Sequence, residues 1–341
     1  MTTIHRIPCP IPFPLKTVNC YYIADSKPTL IDTSVDTPDS LAVLSAGIER
    51  AGSRLSGIRR IILTHAHTDH AGMAGRLAHL SGAEVFVHRW DAPKIVYGDR
   101  QKTAEHLNLF RQFLSRAGVP DTLGDQMTEG FRRRLDRLVS PIEGLVEVSG
   151  GEVFDFDDFQ LRTLHTAGHS AGSISLFNQI TGEIFAGDTL LQHITPNPVA
   201  ETNLPPDIPR YESIRHYRQS LLFLASLGID TVLPGHGPPF RQPGRRIDAL
   251  NRHFDRRKQV VLQLMRHRGG AAATGAAMTV YELSNALFPR LKELELFLGI
   301  SEAFAYLQFL ESDGLVSVWQ ENGTHRFTPT PAATSDRPPM G

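Results

Sequence analysis

The stretch Thr64-His65-Ala66-His67-Thr68-Asp69-His70 places three imidazoles and one carboxylate within six residues, directly after the apolar run Ile61-Ile62-Leu63. Neutral imidazole and carboxylate groups are ordinary ligands for zinc and similar divalent metals. The apolar run predicts a buried strand, and residues 69–80 have the apolar spacing of a helix. His65 and His67 alternate in extended backbone, so both side chains can project to one side. The pattern His-x-His-x-Asp-His is far more restrictive than a chance pair of histidines, and it indicates half of a two-metal site.

Three further turns, each at the end of a strand-like apolar segment, carry one more ligand-type side chain. They bear His169, Asp188 and His236, in the local contexts Gly-His, Gly-Asp and Gly-His-Gly. Gly168 permits a tight turn directly before His169, because glycine has no side chain to restrict its backbone. Side chains at strand ends are held by a rigid sheet, which is where functional sites are commonly built. One such residue alone is usually structural, but the four signals in this order predict a single shared site.

In these motifs the chain resembles the metallo-β-lactamase superfamily of hydrolases, over residues 15–240. The resemblance implies an α+β fold, the αββα four-layer sandwich of two facing mixed β-sheets with helices outside. It also implies that Asp32, in the segment Thr29–Thr33, supports the histidine loop without binding metal. The implied metal ligands are His65, His67 and His169 for a first ion, Asp69, His70 and His236 for a second, and Asp188 as a bridge between the two.

The implied cofactors are two divalent metal ions, with zinc expected and iron or manganese as alternatives. Retention of both His65 and His67 favours the zinc-type hydrolytic branch, because the iron-dependent oxidoreductase branch replaces one loop histidine with a carboxylate. Two cations about 3.5–4 Å apart share a water and lower its pKa toward about 7, and the bridging hydroxide then attacks an electrophilic carbon or phosphorus. We expect Asp69 to orient this hydroxide. His193 is the candidate proton donor for the leaving group, with a surface loop histidine as the simpler interpretation.

Composition divides the chain into a large N-terminal and a small C-terminal part. We assign residues 1–244 to a metallo-β-lactamase-like catalytic domain, and 91–140 within it to a helical insertion. The insertion is predicted from two helix-type periods, and it either shapes access to the metal cleft or serves packing only. A basic helix and a Gly/Ala-rich linker are predicted for 245–275, and a disordered tail for 331–341.

The segment 276–330 has the predicted order helix, helix, β-hairpin. A capping box at Thr279–Glu282 predicts the start of the first helix. The second helix is predicted for 302–310, with Ser301 as its cap. The tripeptide Glu321-Asn322-Gly323 is typical of a hairpin turn. This order resembles a small winged-helix domain.

Charge singles out one segment of an otherwise balanced chain. The formal net charge is −1, with 35 Lys and Arg against 36 Asp and Glu, so no overall field selects nucleic acid or membrane. Residues 241–268 carry nine Lys or Arg against two Asp, a local charge of +7. They form either a solvated helix face or a docking site for an anionic substrate such as acyl-CoA, or for RNA. We expect a cytoplasmic protein without membrane contact, for which a homodimer is one option, and two cysteines, Cys9 and Cys20, that form no disulfide framework.

Three functions fit these observations. The favoured one is a metal-dependent hydrolase that attacks the thioester, ester or lactone carbonyl of a small-molecule substrate. The second is an endoribonuclease or phosphodiesterase that cuts single-stranded RNA or another phosphate ester. His236 comes only 48 positions after Asp188, which leaves no room for the long inserted domain of the larger RNA-processing branch. The third is a non-catalytic binding protein, against which the complete ligand set argues.

Overall fold

The frame of the molecule is a pair of mixed β-sheets. The computed structural model describes residues 2–95, 99–208, 210–267, 277–291 and 293–331, and within these ranges each of the two large sheets has six strands. The first sheet contains, in spatial order, β1 (Thr3–Pro10), β2 (Thr17–Ala24), β3 (Thr29–Ile31), β4 (Arg60–Ile62), β5 (Glu84–His88) and β6 (Val146–Val148). The second has the spatial order β12-β11-β10-β9-β8-β7 and contains β7 (Val153–Asp155), β8 (Gln160–His165), β9 (Ile174–Phe177), β10 (Glu183–Gly187), β11 (Thr231–Pro234) and β12 (Phe240–Arg241).

Helices flank the sheets, and a small hairpin ends the described chain. The helices are α1 (Pro38–Arg50), α2 (Thr68–Ala71), α3 (Ala74–Ser81), α4 (Arg100–Arg116), α5 (Asp121–Leu138), α6 (Ser213–Ala225), α7 (Gly244–His267), α8 (Val280–Leu287) and α9 (Glu293–Ser312). The hairpin strands are β13 (Val316–Glu321) and β14 (Thr324–Pro329). Strands β3 to β6 run parallel to one another, as do β10 and β11, while the remaining pairs are antiparallel.

Each strand divides its side chains between two hydrophobic cores. On β2, Tyr21 packs into the core between the two sheets, whereas Tyr22 packs on the outer side of the first sheet. On β4, Ile62 and Ile61 divide in the same way. The alternation follows from the two-residue period of a strand. The predicted combination of mixed sheets and helices is confirmed. Helices α1 and α3 pack against the first sheet, and α6 and α7 pack against the second.

The helix predicted for residues 69–80 is interrupted, so that part of the prediction is wrong. Helix α2 ends at Ala71 and α3 begins at Ala74. The amide of Met73 donates to Ser34 O at 2.9 Å instead of continuing the helical ladder. A side chain on Gly72 would lie 2.5 Å from two carbonyl oxygens, so only glycine fits this break.

The predicted start of the second C-terminal helix, at residue 302, is also wrong. Helix α9 already begins at Glu293, and Ser301 lies buried inside it, so this serine is not a cap. Gly299 lies within this helix, and a Cβ there would lie 2.5 Å from the Leu291 side chain. The glycine therefore allows the segment after α8 to pack closely against α9. The capping box at Thr279–Glu282 and the hairpin turn are confirmed. The winged-helix assignment of this unit stays a prediction.

The helical insertion packs against the C-terminal unit. Phe110 of α4 lies 5.0 Å, between ring centroids, from Phe297 of α9. The amide of Tyr281 donates to Ala117 O at 2.9 Å, and a Cβ on Gly118 would overlap the side chain of Thr279. Residues of α4, α6, α7, α8 and α9 therefore share one continuous core with the second sheet.

Several of the nine basic side chains in residues 241–268 make contacts within the molecule. Arg257 Nε lies 2.8 Å from Glu302 Oε1 in α9, and Lys258 pairs with Asp313 just after α9. Arg246 donates from Nε to Leu191 O at 2.7 Å and so holds the loop after β10. These contacts indicate that this part of α7 is held against other segments of the same chain.

Two further sequence predictions fall partly or wholly on residues that the structure does not describe. The linker part of 245–275 and the tail 331–341 lie outside the described ranges, apart from the end of α7 and residue 331. Within the described ranges, the helices all fall short of the length and apolar character needed to cross a lipid bilayer.

The shared core predicts that the part containing the two large sheets and the C-terminal unit unfold together. Leu310 of α9 is fully buried in this core, so Leu310→Ala is expected to lower the free energy of unfolding by about 2–5 kcal/mol. Leu80→Ala, at a site that is 49% exposed, is the control and should change it by less than about 0.5 kcal/mol. Urea unfolding followed by tryptophan fluorescence and by circular dichroism should give one coincident transition, and two separate transitions would contradict a shared core.

Candidate metal centre

The candidate site lies where several strands of both sheets end. His65, His67, Asp69 and His70 occupy the turn between β4 and α2, as predicted. The turns after β8, β10 and β11 supply the other three side chains, His169, Asp188 and His236. Because the two sheets face each other, these turns meet at one edge of the sandwich.

Asp32 holds the histidine turn in place through hydrogen bonds to its carboxylate. This aspartate directly follows β3 and has a left-handed φ of 59°, and it is buried. Its carboxylate accepts hydrogen bonds from Thr64 N, Thr64 Oγ1 and His70 Nδ1, each at 2.8 Å. Since the Thr64 hydroxyl donates to Asp32, it can accept from His65 Nδ1, which lies 3.1 Å away. One carboxylate thereby fixes the ring orientation of two histidines, the supporting role that the resemblance implied.

The other ring nitrogens are fixed by main-chain carbonyls. His169 Nδ1 donates to Asn197 O at 2.8 Å, and His236 Nδ1 donates to Thr17 O at 2.6 Å. A histidine that donates from Nδ1 presents the Nε2 lone pair on the opposite side of its ring. Such outer hydrogen bonds are the usual way in which proteins orient metal-binding imidazoles.

The free ring nitrogens and carboxylate oxygens converge. His65 Nε2 lies 2.9 Å from His67 Nδ1. Asp188 lies between the histidines: its Oδ1 is 3.5 Å from His70 Nε2, and its Oδ2 is 3.6 Å from His169 Nε2 and 3.4 Å from His236 Nε2. His236 Nε2 is also 3.4 Å from Asp69 Oδ2. Three groups of mutually close ligand atoms result: His65, His67 and His169; His65, His70 and Asp188; Asp69, His70 and His236.

Orphaned polar atoms show that this cluster fits bound cations. His70 Nε2, His236 Nε2 and Asp188 Oδ1 are buried and have no hydrogen-bond partner among the described residues. A buried polar atom without a partner costs about 1–3 kcal/mol. Divalent cations would satisfy these lone pairs together, and nitrogen and carboxylate donors are the set that zinc prefers. The residues present therefore fit the metal group that their pattern predicts.

Two glycines are required by the closeness of these side chains. A Cβ on Gly235 would lie 2.3 Å from Asp188 Oδ1 and 2.7 Å from His70 Cε1. A Cβ on Gly187, whose φ is 48°, would lie 2.6 Å from Thr64 Oγ1. The Gly-Asp and Gly-His-Gly patterns thus follow from the packing of the strand ends around Asp188.

Charge divides the histidines of the cluster into two kinds. Burial and the neighbouring His169 lower the pKa of His67 to about 3. Burial would also lower the pKa of His70 and of His236, but the carboxylates around these two rings outweigh it and raise the values to about 9 and about 11. The group of His65, His67 and His169, the three-histidine group, is therefore neutral and can bind a cation directly. His70 and His236, which lie beside carboxylates, keep their extra protons until a cation replaces them.

Sequence reasoning missed a buried ionic group behind the histidine turns. Asp91, Lys94 and Glu201 contact one another through Lys94 Nζ, which lies 2.6 Å from Asp91 Oδ1 and 2.7 Å from Glu201 Oε2. The only local signal was Gly172: its Cβ would lie 2.6 Å from the Asp91 carboxylate. Nothing near Glu201 in the sequence marks its partner more than a hundred residues earlier.

Two other histidines lie apart from the ligand cluster. His165 donates from Nε2 to Ala171 O at 2.8 Å and stacks on His88 with 3.9 Å between ring centroids. His193 lies in the loop after β10, and no hydrogen bond or ring contact among the described residues joins it to the cluster. Its role as a proton donor stays a prediction.

Comparison with known proteins agrees with this site. Residues 14–236 match the family model of the metallo-beta-lactamase superfamily. The chain belongs to this superfamily. It is 28% identical over 341 residues to the probable metallo-hydrolase YqjP of Bacillus subtilis strain 168, in an alignment that covers 96% of this chain and 98% of that one. These relatives and the site make the chain a metal-dependent hydrolase.

A solved structure and a named thioesterase add to the comparison. The metallo-beta-lactamase family protein TTHA1429 from Thermus thermophilus superposes with a TM-score of 0.80 at 26% identity, covering 96% of this chain and 98% of that chain. The acyl-coenzyme A thioesterase MBLAC2 of Bos taurus is 29% identical over 179 residues, which are 51% of this chain and 54% of that protein. The likeness to TTHA1429 therefore extends through the C-terminal unit, whereas the likeness to the thioesterase is confined to about half of each chain.

The protonation of His70 and His236 predicts how metal binding depends on pH. Their pKa values of about 9 and about 11 mean that both rings are protonated on both nitrogens, and so positively charged, at pH 7 in the metal-free protein. The protonated rings stabilise the metal-free fold fully below about pH 6.5, and this stability is lost as the pH rises through about 9 and then about 11. Since a metal binds only neutral imidazole, zinc binding at pH 7 should release about two protons from these rings. Calorimetry in buffers of different ionisation enthalpy measures the release, and zinc uptake without it would contradict the assignment.

Proposed function

We propose that this chain is a two-metal hydrolase that cleaves acyl thioesters of small anionic carriers such as acyl-CoA, with esters and lactones in the same carbonyl class. The observation that carries the proposal is the convergence of seven ligand-type side chains, with Asp188 among the histidines. Its two oxygens face different imidazoles, the arrangement expected of a bridging ligand. The similarity to a named acyl-coenzyme A thioesterase supports a thioester among the possible carbonyl substrates.

The proposed ligands keep the division that the resemblance implied. His65, His67 and His169 would hold a first ion, and Asp69, His70 and His236 a second, with Asp188 between them. The nitrogen-rich donor set favours zinc, with iron or manganese as alternatives. When bound, the two ions would lower the pKa of a water molecule and polarise the acyl carbonyl.

The remaining chemistry belongs to residues of the chain. Asp69 is partly buried at the helix start, and its carboxylate can accept a hydrogen bond from the attacking water and so orient it. A thiolate leaving group needs no proton donor at neutral pH, because thiols have pKa values near 8.5. An alkoxide leaving group would need one, and His193 is the residue that we propose for this task. Thioesters are therefore the substrates whose cleavage requires no proton donor beyond the groups already described.

The phosphodiester alternative has less support. A basic surface on α7 was its main motive, but Arg257, Lys258 and Arg246 are engaged within the fold. No feature of the described residues supports an RNA substrate or a homodimer. We keep the winged-helix description of α8, α9, β13 and β14 as part of the proposal, on the support of their order helix, helix, hairpin.

A substrate panel separates the candidate functions. Acyl-CoA, p-nitrophenyl esters, lactones and a labelled single-stranded RNA are each assayed with zinc-loaded protein, with and without a chelator. We expect acyl-CoA hydrolysis that the chelator abolishes, and no RNA cleavage. His67→Ala should abolish turnover, because it removes a ligand of the first ion, while His79→Ala, on the outer helix α3, is the matched control and should keep wild-type turnover. RNA cleavage without thioester hydrolysis would overturn the proposal in favour of the phosphodiesterase.

The bridging role of Asp188 makes a separate prediction. Asp188→Asn keeps the shape of the side chain but removes its charge, so metal content after dialysis should fall at both positions together. Asp69→Asn, which alters a ligand of the second ion alone, should lower the content by about one ion per chain. Elemental analysis against protein concentration measures both variants. Loss of only one ion in Asp188→Asn would show that Asp188 is not a bridge.

A further inference from the structure

Asp91 joins the two turns that carry the three-histidine group. It is fully buried and lies three residues after the end of β5. Its Oδ2 accepts a hydrogen bond from Ala66 N at 2.7 Å, and Ala66 stands between His65 and His67. Its Oδ1 accepts from Gly172 N at 2.7 Å, three residues after His169. One carboxylate is therefore bonded to the main chain of both ligand-bearing turns.

Lys94 and Glu201 complete this link. Lys94 Nζ donates to Ser170 Oγ at 2.7 Å in addition to its contacts with both carboxylates, and Ser170 Oγ donates to Asp91 at 2.8 Å. Glu201 Oε1 accepts from Ala171 N at 2.6 Å. The turn after His169 is thus held at three consecutive residues.

The ionic group of Asp91, Lys94 and Glu201 is suited to keeping the two ligand-bearing turns in place. Removing one partner of a buried ion pair is strongly unfavourable, because the other charge is left without compensation. Here the carboxylates also satisfy main-chain N–H groups that water does not reach, and each such group would be left unpaired. The geometry of the two turns is therefore tied to the presence of all three charges.

The second ligand group has different supports. His70 is held by Asp32, and His236 is held by Thr17 O. Among the contacts of the described residues, no hydrogen bond joins Asp91, Lys94 or Glu201 to Asp69, His70 or His236. A change in the ionic group would therefore reach the three-histidine group first.

We propose that Asp91, Lys94 and Glu201 are positioning residues that set the separation between the His65–His67 turn and the His169 turn. They thereby control the affinity of the three-histidine group for its metal ion, and leave the group of Asp69, His70 and His236 nearly unaffected. The inference rests on the proposed two-metal function and adds to it the means by which one of the two positions is tuned.

The test measures zinc affinity at each position separately. His236→Ala weakens the second group and leaves the three-histidine group, whereas His67→Ala does the reverse. Lys94→Met is placed in both backgrounds, and the dissociation constant for zinc is measured by competition with a chromophoric chelator. In the His236→Ala background the affinity should fall about 10–100-fold, the usual effect of losing an outer support of a metal ligand. In the His67→Ala background it should stay within about twofold.

Two further variants make the result decisive. Lys258→Met is the control, because Lys258 also pairs with a carboxylate, that of Asp313, but this pair lies away from the ligand-bearing turns; it should leave both zinc affinities unchanged. Glu201→Gln keeps an acceptor for Ala171 N–H and removes only a charge, and it should weaken zinc binding in the same background. It decides the question if Lys94→Met does not fold.

The possible failures are distinguishable. Two zinc ions in the wild-type chain, with affinities that neither Lys94→Met nor Glu201→Gln alters, would overturn this inference and leave the proposed function standing. Equal weakening in both backgrounds would also overturn it, since the effect would then be general destabilisation. A wild-type chain that binds fewer than two ions would overturn the two-metal function, and with it the division of supports between two positions.

Discussion

The structure depends on a buried carboxylate that cannot be satisfied by the protein alone. Asp188 lies among three imidazoles whose Nδ1 atoms are committed to other partners, so their Nε2 lone pairs face it and one another. Lone pairs that converge in a buried space repel unless a proton or a cation lies between them. In the metal-free protein, the raised pKa values of His70 and His236 mean that protons on these rings relieve this repulsion. Bound metal ions would relieve it instead, and the donor set favours them.

The fold is the means of bringing those lone pairs together. Strands β4, β10 and β11 each end in a turn that carries ligands, and strand β3 ends in the aspartate that orients two of the rings. Glycine occupies the positions where the turns touch, because a Cβ would collide with Asp188 or Thr64. The site therefore belongs to the sandwich as a whole, and the helices outside contribute by holding the sheets in place.

The sequence was informative where one local pattern determines one local structure. The histidine loop, the glycine-flanked turns and the capping box at Thr279–Glu282 were all predictable, since each is contained in a few consecutive residues. The break at Gly72 was not, because it depends on Met73 bonding to Ser34 from another part of the chain. The ionic group of Asp91, Lys94 and Glu201 was not predictable either, because sequence spacing carries no trace of a contact made through folding. For the same reason the basic character of α7 suggested a binding face, although several of its cations serve internal contacts.

The central claim is that Asp188 lies between two metal ions. Anomalous diffraction from crystals of the zinc-loaded protein, recorded on both sides of the zinc absorption edge, tests it most directly. The account predicts two zinc peaks per chain about 3.5–4 Å apart, with one Asp188 oxygen or both in contact with each ion. A single peak, or two peaks of which only one touches Asp188, would contradict it.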